Sequence, residues 1–177
     1  YDGGFTEAVF GYAHRPVHND RLNVLAKFTY FYNVPTTEQV SGAQSVASEF
    51  IQKSHIAALD VNYDITSNFT IGGKYAYRLG QISVDRDDPD FFENNASLYV
   101  VRGDYRFREN WEVLVEARLL DMSDLTESRS GALATVSRYC GDPFKVGLGD
   151  NFTDFSDDLT DLSYDHSGAF LSVTGTL

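Results

Sequence analysis

The sequence predicts an all-β chain folded as an antiparallel, up-and-down sheet of about nine long strands. Apolar and polar residues alternate with a period of two along most of the 177 residues. Aromatic residues make up 14% of the chain, with 11 Tyr and 13 Phe, and this composition suits strands better than helices. Only the stretch "SGAQSVASEFIQKS" has a spacing that resembles a helix.

The alternation places each strand between turn-forming residues. The expected strands lie near 5–15, 21–33, 55–64, 68–81, 97–108, 110–120, 131–140, 144–152 and 168–177. Each has about the 9–11 residues that a tilted strand needs to cross a bilayer. Strands of soluble proteins are typically shorter, at about 5–6 residues.

The connections between these strands alternate in length. "PVHND", "ITSN", "REN" and "GDP" predict tight turns because Pro, Asn, Asp and Gly adopt turn geometry readily. Longer polar connections are expected near 34–54, 82–96, 121–130 and 153–167. This alternation is typical of an up-and-down transmembrane β-barrel, with short turns at one rim and long loops at the other.

The two faces of each strand differ in polarity. In "NWEVLVEARLL", Trp111, Val113 and Val115 share one face, whereas Glu112 and Glu116 share the other. A soluble β-sandwich or lipocalin-like barrel would bury the apolar face, and alternation alone does not distinguish it from a membrane barrel.

Two observations favour a membrane barrel with its apolar face outward. First, aromatic residues gather in two bands typical of lipid-facing girdles: Tyr63, Phe69, Tyr105, Phe107, Trp111, Tyr139 and Phe144 near the tight turns, and Tyr30, Tyr32, Tyr75 and Tyr77 nearer the other rim. Second, most basic residues fall on the polar strand faces, whereas many acidic residues lie in the long connections. The expected lumen-lining residues are Lys27, Asp60, Lys74, Arg78, Arg102, Asp104, Arg106, Glu112, Glu116, Arg118, Arg138 and Lys145.

Size and charge limit the alternatives. No apolar run approaches the roughly 20 residues of a transmembrane helix. The net charge of -12 argues against a nucleic-acid partner.

Residues 1–177 are expected to form one barrel domain. Because the first strand enters a tight turn, whereas an even-stranded barrel starts and ends at the periplasmic rim, we expect this domain to be the C-terminal part of a longer protein.

Candidate chemical sites are sparse. The acidic runs "DRDDPD", "DMSD" and "DFSDDLTDLSYD" lack the residue order of a calcium-binding EF-hand, so no metal or other cofactor is expected. The histidines have neither zinc-ligand spacing nor a nucleophile elbow nearby. A barrel hydrolase that uses His55 or His166 at the rim remains an alternative, as does a soluble extracellular β-sandwich binding module.

The last strand carries a family resemblance. "NFTDFSDDLTDLSYDHSGAFLSVTGTL", preceded by "KVGLG", resembles the C-terminal barrel segment of large, poorly characterised Gram-negative outer-membrane proteins. "GKYAYRLG" and "TEAVFGYAHRPVHNDRLNVLAKFTYFYN" extend the resemblance over most of the chain. The final strand is similar to the signal read by the barrel-assembly machinery, although Leu177 stands where a terminal Phe is usual. The residues of this signal are Phe170, Leu171, Val173, Gly175 and Leu177.

The resemblance implies a location and partners, but it says hardly anything about function. The location is the bacterial outer membrane, and the partners are the lipid bilayer, lipopolysaccharide, the barrel-assembly machinery and upstream strands of the same protein. The function is predicted instead from the charged residues, which are spread along the polar faces of many strands and not gathered in one site. The expected function is that of a structural, porin-like barrel without catalysis. It would act as a membrane anchor and as a passive pore for small solutes.

Overall fold

The computed structural model describes residues 4–33, 51–85, 88–122, 127–141, 144–155, 159 and 167–175. These residues form strands only, so the predicted all-β fold is confirmed. The strands are β1 (Thr6–His14), β2 (Leu22–Tyr32), β3 (Ile51–Thr66), β4 (Phe69–Ser83), β5 (Phe92–Glu93), β6 (Ala96–Arg108), β7 (Trp111–Met122), β8 (Glu127–Tyr139), β9 (Phe144–Asn151) and β10 (Gly168–Gly175).

All ten strands belong to one antiparallel sheet with up-and-down order. Each long strand pairs with the next long strand along the chain, from β1 to β10, and the short β5 pairs with the end of β4. Within the described part of the chain, β1 pairs with β2 alone and β10 pairs with β9 alone. The sheet is therefore open, and it is a single layer rather than the two layers of a sandwich.

The expected boundaries need correction in two places. β3 begins at Ile51, so the end of the stretch with helix-like spacing is a strand, and residues 41–50 of that stretch lie outside the described residues. β7 and β8 continue as paired strands to Met122 and Glu127, which leaves only residues 123–126 as their connection. Polar side chains such as Ser128 made this segment resemble a loop, but alternating polar residues also suit a strand with one polar face.

The other connections follow the expected pattern. Short connections at 15–21, 67–68, 109–110 and 140–143 lie at one end of the strands, which we call the turn rim. Strands β2, β4, β7 and β9 end at the opposite rim, and β5, which pairs with β4 there, lies within the stretch 82–96 that was expected to be a loop. No helix among the described residues is long and apolar enough to span a membrane.

The sheet has one buried face and one exposed face. We call the face that carries Thr29, Ile56, Arg78, Leu98 and Leu120 the inner face, because all five side chains are buried. Strand pairing aligns the other inner-face residues with them, since directly paired side chains point to the same side.

The opposite side, the outer face, is apolar and exposed. Val101 is 60% exposed, Val115 is 53% exposed and Ile71 is 42% exposed. The inner-face side chain of Arg118, in contrast, is only 11% exposed. A soluble sheet would bury the aliphatic residues and expose the arginine, so the polarity of this sheet is inverted.

An apolar cluster fills the inner face near the opposite rim. It combines strand residues of β2, β3, β4, β6 and β7 with two residues of the β9–β10 connection: Phe31, Ile56, Ala76, Ala96, Leu98, Val100, Leu120, Met122, Phe155 and Leu159. The inner face is thus apolar near the opposite rim and ionic towards the turn rim.

Candidate functional site

A polar bridge crosses the inner face between β3 and β6. Arg102 Nη2 on β6 lies 2.8 Å from Asp60 Oδ1 and donates to Asn62 Oδ1 at 2.8 Å, both on β3. Gly72 of β4 lies directly between Asn62 and Arg102 in the strand register. A Cβ atom at Gly72 would come within 2.6 Å of Arg102 Nε, so the missing side chain makes room for the bridge.

Replacing Gly72 with valine should therefore break this bridge. The added side chain would displace Arg102, and we expect a loss of about 1–3 kcal/mol in the free energy of unfolding, as for overpacking of a core. The measurement is urea unfolding from lipid vesicles. Gly73→Val is the matched control, because a Cβ there meets Val100 O at an ordinary 3.6 Å. Equal losses in the two variants would contradict the proposed role of Gly72.

A second ionic cluster lies on the inner face near the turn rim. Tyr139 Oη donates a 2.8 Å hydrogen bond to Glu112 Oε2, and Lys145 forms an ion pair with the other carboxylate oxygen. Arg106 Nη2 lies 3.9 Å from Glu112 Oε2, and its guanidinium carbon lies 5.4 Å from the centre of the Tyr139 ring. Glu112 is 5% exposed and joins cations from β6 and β9.

Lys27 and Lys74 line a common cavity on the inner face. A cavity of about 80 Å³ on β2, β3 and β4 is lined by Leu25, Lys27, Thr29, Ile56, Ala58, Asp60 and Lys74. On β7, Glu116 and Arg118 form an ion pair two residues apart on the same face. Most inner-face carboxylates of the described chain therefore have a cationic neighbour.

Arg78 is the most deeply buried cation on the inner face, at 2% exposure. Its Nε donates to Ser54 Oγ at 3.0 Å, its Nη2 to Gln52 Oε1 at 3.4 Å, and its Nη1 to the carbonyl oxygen of Leu159 at 3.1 Å. The guanidinium also lies 5.5 Å from the centre of the Phe31 ring. Arg78 thus connects the strand wall to the β9–β10 connection.

The structure corrects one lumen-lining assignment. Arg138 pairs with Trp111, so it lies on the outer face, where its guanidinium carbon is 5.5 Å from the centre of the indole. Its strand ends at the turn rim, where an arginine on an apolar face can keep its charge at a membrane surface while its stem covers the aromatic ring. Its neighbour Tyr139 lies on the inner face beside Glu112. The other eleven predicted lumen-lining residues lie on the inner face.

All but one of the predicted aromatic residues lie on the outer face, in two bands. The exception is Tyr139, which the β8–β9 register places on the inner face, where its hydroxyl donates to Glu112. Near the turn rim, the rings of Phe69 and Tyr105 are 6.3 Å apart, and so are those of Phe107 and Trp111. Phe69 and Tyr77, one from each band, are eight residues apart on β4, which is about 26 Å along a strand. If the strand is tilted by about 40° from the barrel axis, this length corresponds to about 20 Å along the axis. That distance is close to the height of the apolar zone of a membrane barrel. Tyr63 and Phe144 belong to the first band, and Tyr30, Tyr32 and Tyr75 belong to the second.

The predicted assembly signal lies on the edge strand β10. Leu171 is 69% exposed and Val173 is 65% exposed on the outer face, together with Gly175. Phe170 faces inward and covers Gly149, where a Cβ would lie 2.6 Å from Phe170 Cζ. Leu177 lies outside the described residues.

The residues of the hydrolase alternative do not form a site in the described chain. His55 lies on the outer face, with ring centres 4.9 Å from Tyr30 and 6.0 Å from Phe28, and His166 lies outside the described residues. The described residues hold no group of three or more His, Cys, Asp or Glu placed to bind a metal ion. The thiol of Cys140 is exposed near the turn rim.

Sequence reasoning missed three kinds of inner-face residue. Asn62 and Gly72 had no assigned role, and Tyr139 had been assigned to the lipid-facing aromatic band rather than to the inner face. Phe155 and Leu159 belong to a predicted long polar connection but are buried in the apolar cluster. The signal that could have found them is the occurrence of these two apolar residues within an otherwise acidic stretch.

Comparison with known proteins supports the fold. No protein-family model matches the chain, and no curated protein matches it significantly. Among solved structures, it resembles the crystal structure of the Pseudomonas putida toluene transporter TodX, an outer-membrane β-barrel, with a TM-score of 0.50 and 10% sequence identity. The fold that the two share is an antiparallel, up-and-down sheet of the kind that forms a β-barrel wall. The match covers 97% of this chain and 59% of TodX, so the chain spans less than two thirds of the length of that transporter.

Proposed function

We propose that this chain forms part of the wall of a barrel in the bacterial outer membrane, where it anchors its protein and passes small solutes passively. The observation that carries this proposal is the inverted polarity of the sheet. Aliphatic residues such as Val101 and Val115 are exposed between two aromatic bands, whereas arginines on the other side form ion pairs with carboxylates. Lipid stabilises an exposed apolar face, and water in a lumen stabilises an ionic one.

The proposal includes partners at the sheet edges. An open strand edge leaves backbone groups without hydrogen bonds, which is costly in hydrocarbon. We infer that further strands of the same protein pair with β1 and β10 to complete the barrel. The outer face would contact the lipid bilayer and the loops would contact lipopolysaccharide, after insertion by the barrel-assembly machinery through β10.

The inner face favours small polar solutes, and anions in particular. Lys27 and Lys74 line one cavity with Asp60, so two cationic side chains and one carboxylate lie there together. The neighbour TodX is a toluene transporter, but at 10% identity the likeness concerns the fold alone. The ion-paired wall and the apolar cluster also suit an anchor whose pore opens only part of the time.

Planar-bilayer recording of the complete protein tests the pore. We expect reproducible channel openings with anion preference, and a shift towards cations when Arg102→Glu or Arg118→Glu is introduced. Arg15→Glu, in the exposed β1–β2 connection, makes the same charge change outside the strand wall and should shift selectivity less. If neither the unchanged protein nor any variant shows channel openings, the pore is contradicted and the anchor alone remains as the proposed function. Esterase or protease activity lost in His55→Ala or His166→Ala would replace the proposal with a hydrolase.

A further inference from the structure

A row of three outer-face residues crosses three strands at the turn rim. Arg108 of β6 pairs with Trp111 of β7, and Trp111 pairs in turn with Arg138 of β8. The β6–β7 register shifts just before Arg108, and such a bulge places two residues, here Phe107 and Arg108, opposite one. The strand pairing therefore places one cation on each side of the indole.

This row borders an open groove at the end of the strands. The groove has a volume of about 490 Å³ and is lined by Arg108, Glu109, Asn110, Trp111 and Arg138. The backbones of β6 and β8 are two interstrand steps apart, which is about 10 Å. The guanidinium carbon of Arg138 lies 5.5 Å from the centre of the indole, so this side chain leans towards β7 and shortens the gap. Two long arginine side chains therefore reach a single phosphate group placed between them.

The partners of these two arginines differ from those of the inner-face cations. Arg102 and Lys145 meet carboxylates on neighbouring strands. In the part of the chain that the structure describes, the exposed side chains of Arg108 and Arg138 form neither an ion pair nor a hydrogen bond. A guanidinium contacts a ring through its face and donates hydrogen bonds through its edge. The indole contact of Arg138 thus leaves its N–H groups available to an anion.

The outer-face residues next to this row, towards the middle of the sheet, are apolar or aromatic. Tyr105 pairs with Val113, and Val113 pairs with Val136, so these three form the next row. Tyr105 and Val136 are exposed, and so is Val115 beyond them. A ligand that matches both parts of this surface carries a phosphate at the rim and hydrocarbon chains along the strands. A phospholipid has this form, whereas free phosphate matches the rim alone.

We propose that Arg108, Trp111 and Arg138 bind the headgroup of one phospholipid. The two guanidinium groups contact its phosphate, for which arginine is well suited, and the Glu109 carboxylate contacts an ammonium group beside the phosphate. This carboxylate selects a zwitterionic phosphoethanolamine headgroup over an anionic headgroup that lacks the ammonium. The inference rests on the proposed membrane location, which puts the turn rim and its aromatic band at the depth of the headgroups.

Native mass spectrometry of the complete protein in detergent micelles tests this site. The probes are phosphatidylethanolamine and phosphatidylglycerol, and we expect the first to bind roughly fivefold more tightly, as one partly exposed ion pair would produce. Arg108→Gln and Arg138→Gln should each weaken binding of phosphatidylethanolamine by about tenfold, because each removes a charged hydrogen-bond donor. Arg15→Gln removes an exposed arginine at the same rim, and as the matched control it should bind like the unchanged protein.

Glu109→Gln tests the ammonium contact separately. This variant should lose the preference for phosphatidylethanolamine over phosphatidylglycerol, since its amide carries no charge. Asp20→Asn removes an exposed carboxylate at the same rim and should keep the preference. A preference that persists in Glu109→Gln would overturn the role of Glu109.

Three further results separate the site from its alternatives. Equal binding of phosphatidylethanolamine by the unchanged protein and both arginine variants would overturn the site. Displacement of the lipid by an equal concentration of inorganic phosphate would overturn the lipid as the occupant, since the hydrocarbon chains would then contribute nothing. Insertion of the complete protein into phosphatidylethanolamine vesicles is measured in parallel by protection from protease. Failed insertion would refute the membrane location itself, whereas insertion without selective binding would refute only this site.

Discussion

Replacing Val101 with arginine is expected to destabilise the membrane-inserted protein by about 2–4 kcal/mol, the cost of a cation on the lipid face of a barrel near the bilayer midplane. Val101 is 60% exposed on the outer face, between Tyr99 and Tyr105 of the same strand. At an exposed site on a soluble sheet the same change would alter stability by about 0.5 kcal/mol or less. The measurement is the folded fraction in phospholipid vesicles as a function of urea.

Val17→Arg is the matched control for this prediction. Val17 is 94% exposed in the β1–β2 connection at the turn rim, where arginine stays in water. We expect no measurable change in the control. If Val101→Arg unfolded at the same urea concentration as the control, the outer face would not contact lipid, and the membrane assignment would fail.

Glu112→Ala is expected to cost about 2–3 kcal/mol in the free energy of unfolding. Glu112 is 5% exposed and accepts contacts from Lys145, Tyr139 and Arg106, so its removal leaves two cations and a phenol without their carboxylate. Loss of one partner of a buried pair usually costs about 3–5 kcal/mol, and the partial exposure of Lys145 reduces this figure.

Glu112→Gln separates hydrogen bonding from charge, because its amide oxygen still accepts from Tyr139. We expect about half of the loss seen with alanine. In a double-mutant cycle with Lys145→Met, the combined loss should be smaller than the sum of the single losses. Additive losses would show that Glu112 and Lys145 are not coupled.

The strand pattern was predictable because local chemistry determines it. Along β7, Val113 and Val115 alternate with Glu112 and Glu116, and the strand occurs where this alternation predicts it. The turns at 67–68 and 109–110 follow from their Asn-containing sequences. Arg138 shows the limit of this reasoning: residue type suggested the inner face, but the β7–β8 register places it beside Trp111.

The sequence by itself determined the all-β class, the up-and-down order, most strand bounds and the division into an apolar and a polar face, because each depends on residues close together in the chain. Tertiary structure alone decided which cations meet which carboxylates. Arg102 reaches Asp60 across Gly72, and Lys145 meets Glu112 from another strand, because sheet register brings residues from separate strands into one row.

Tertiary structure also decided that three residues of the β9–β10 connection are buried, although its acidic composition predicts a solvated loop. Thr153, Phe155 and Leu159 lie inside because a glycine on β8 makes room, an arginine on β4 offers a donor, and five strands together supply an apolar surface. None of these partners lies near the connection in the sequence. Contacts with distant strands, which the local composition does not reveal, therefore decide the burial of these three side chains.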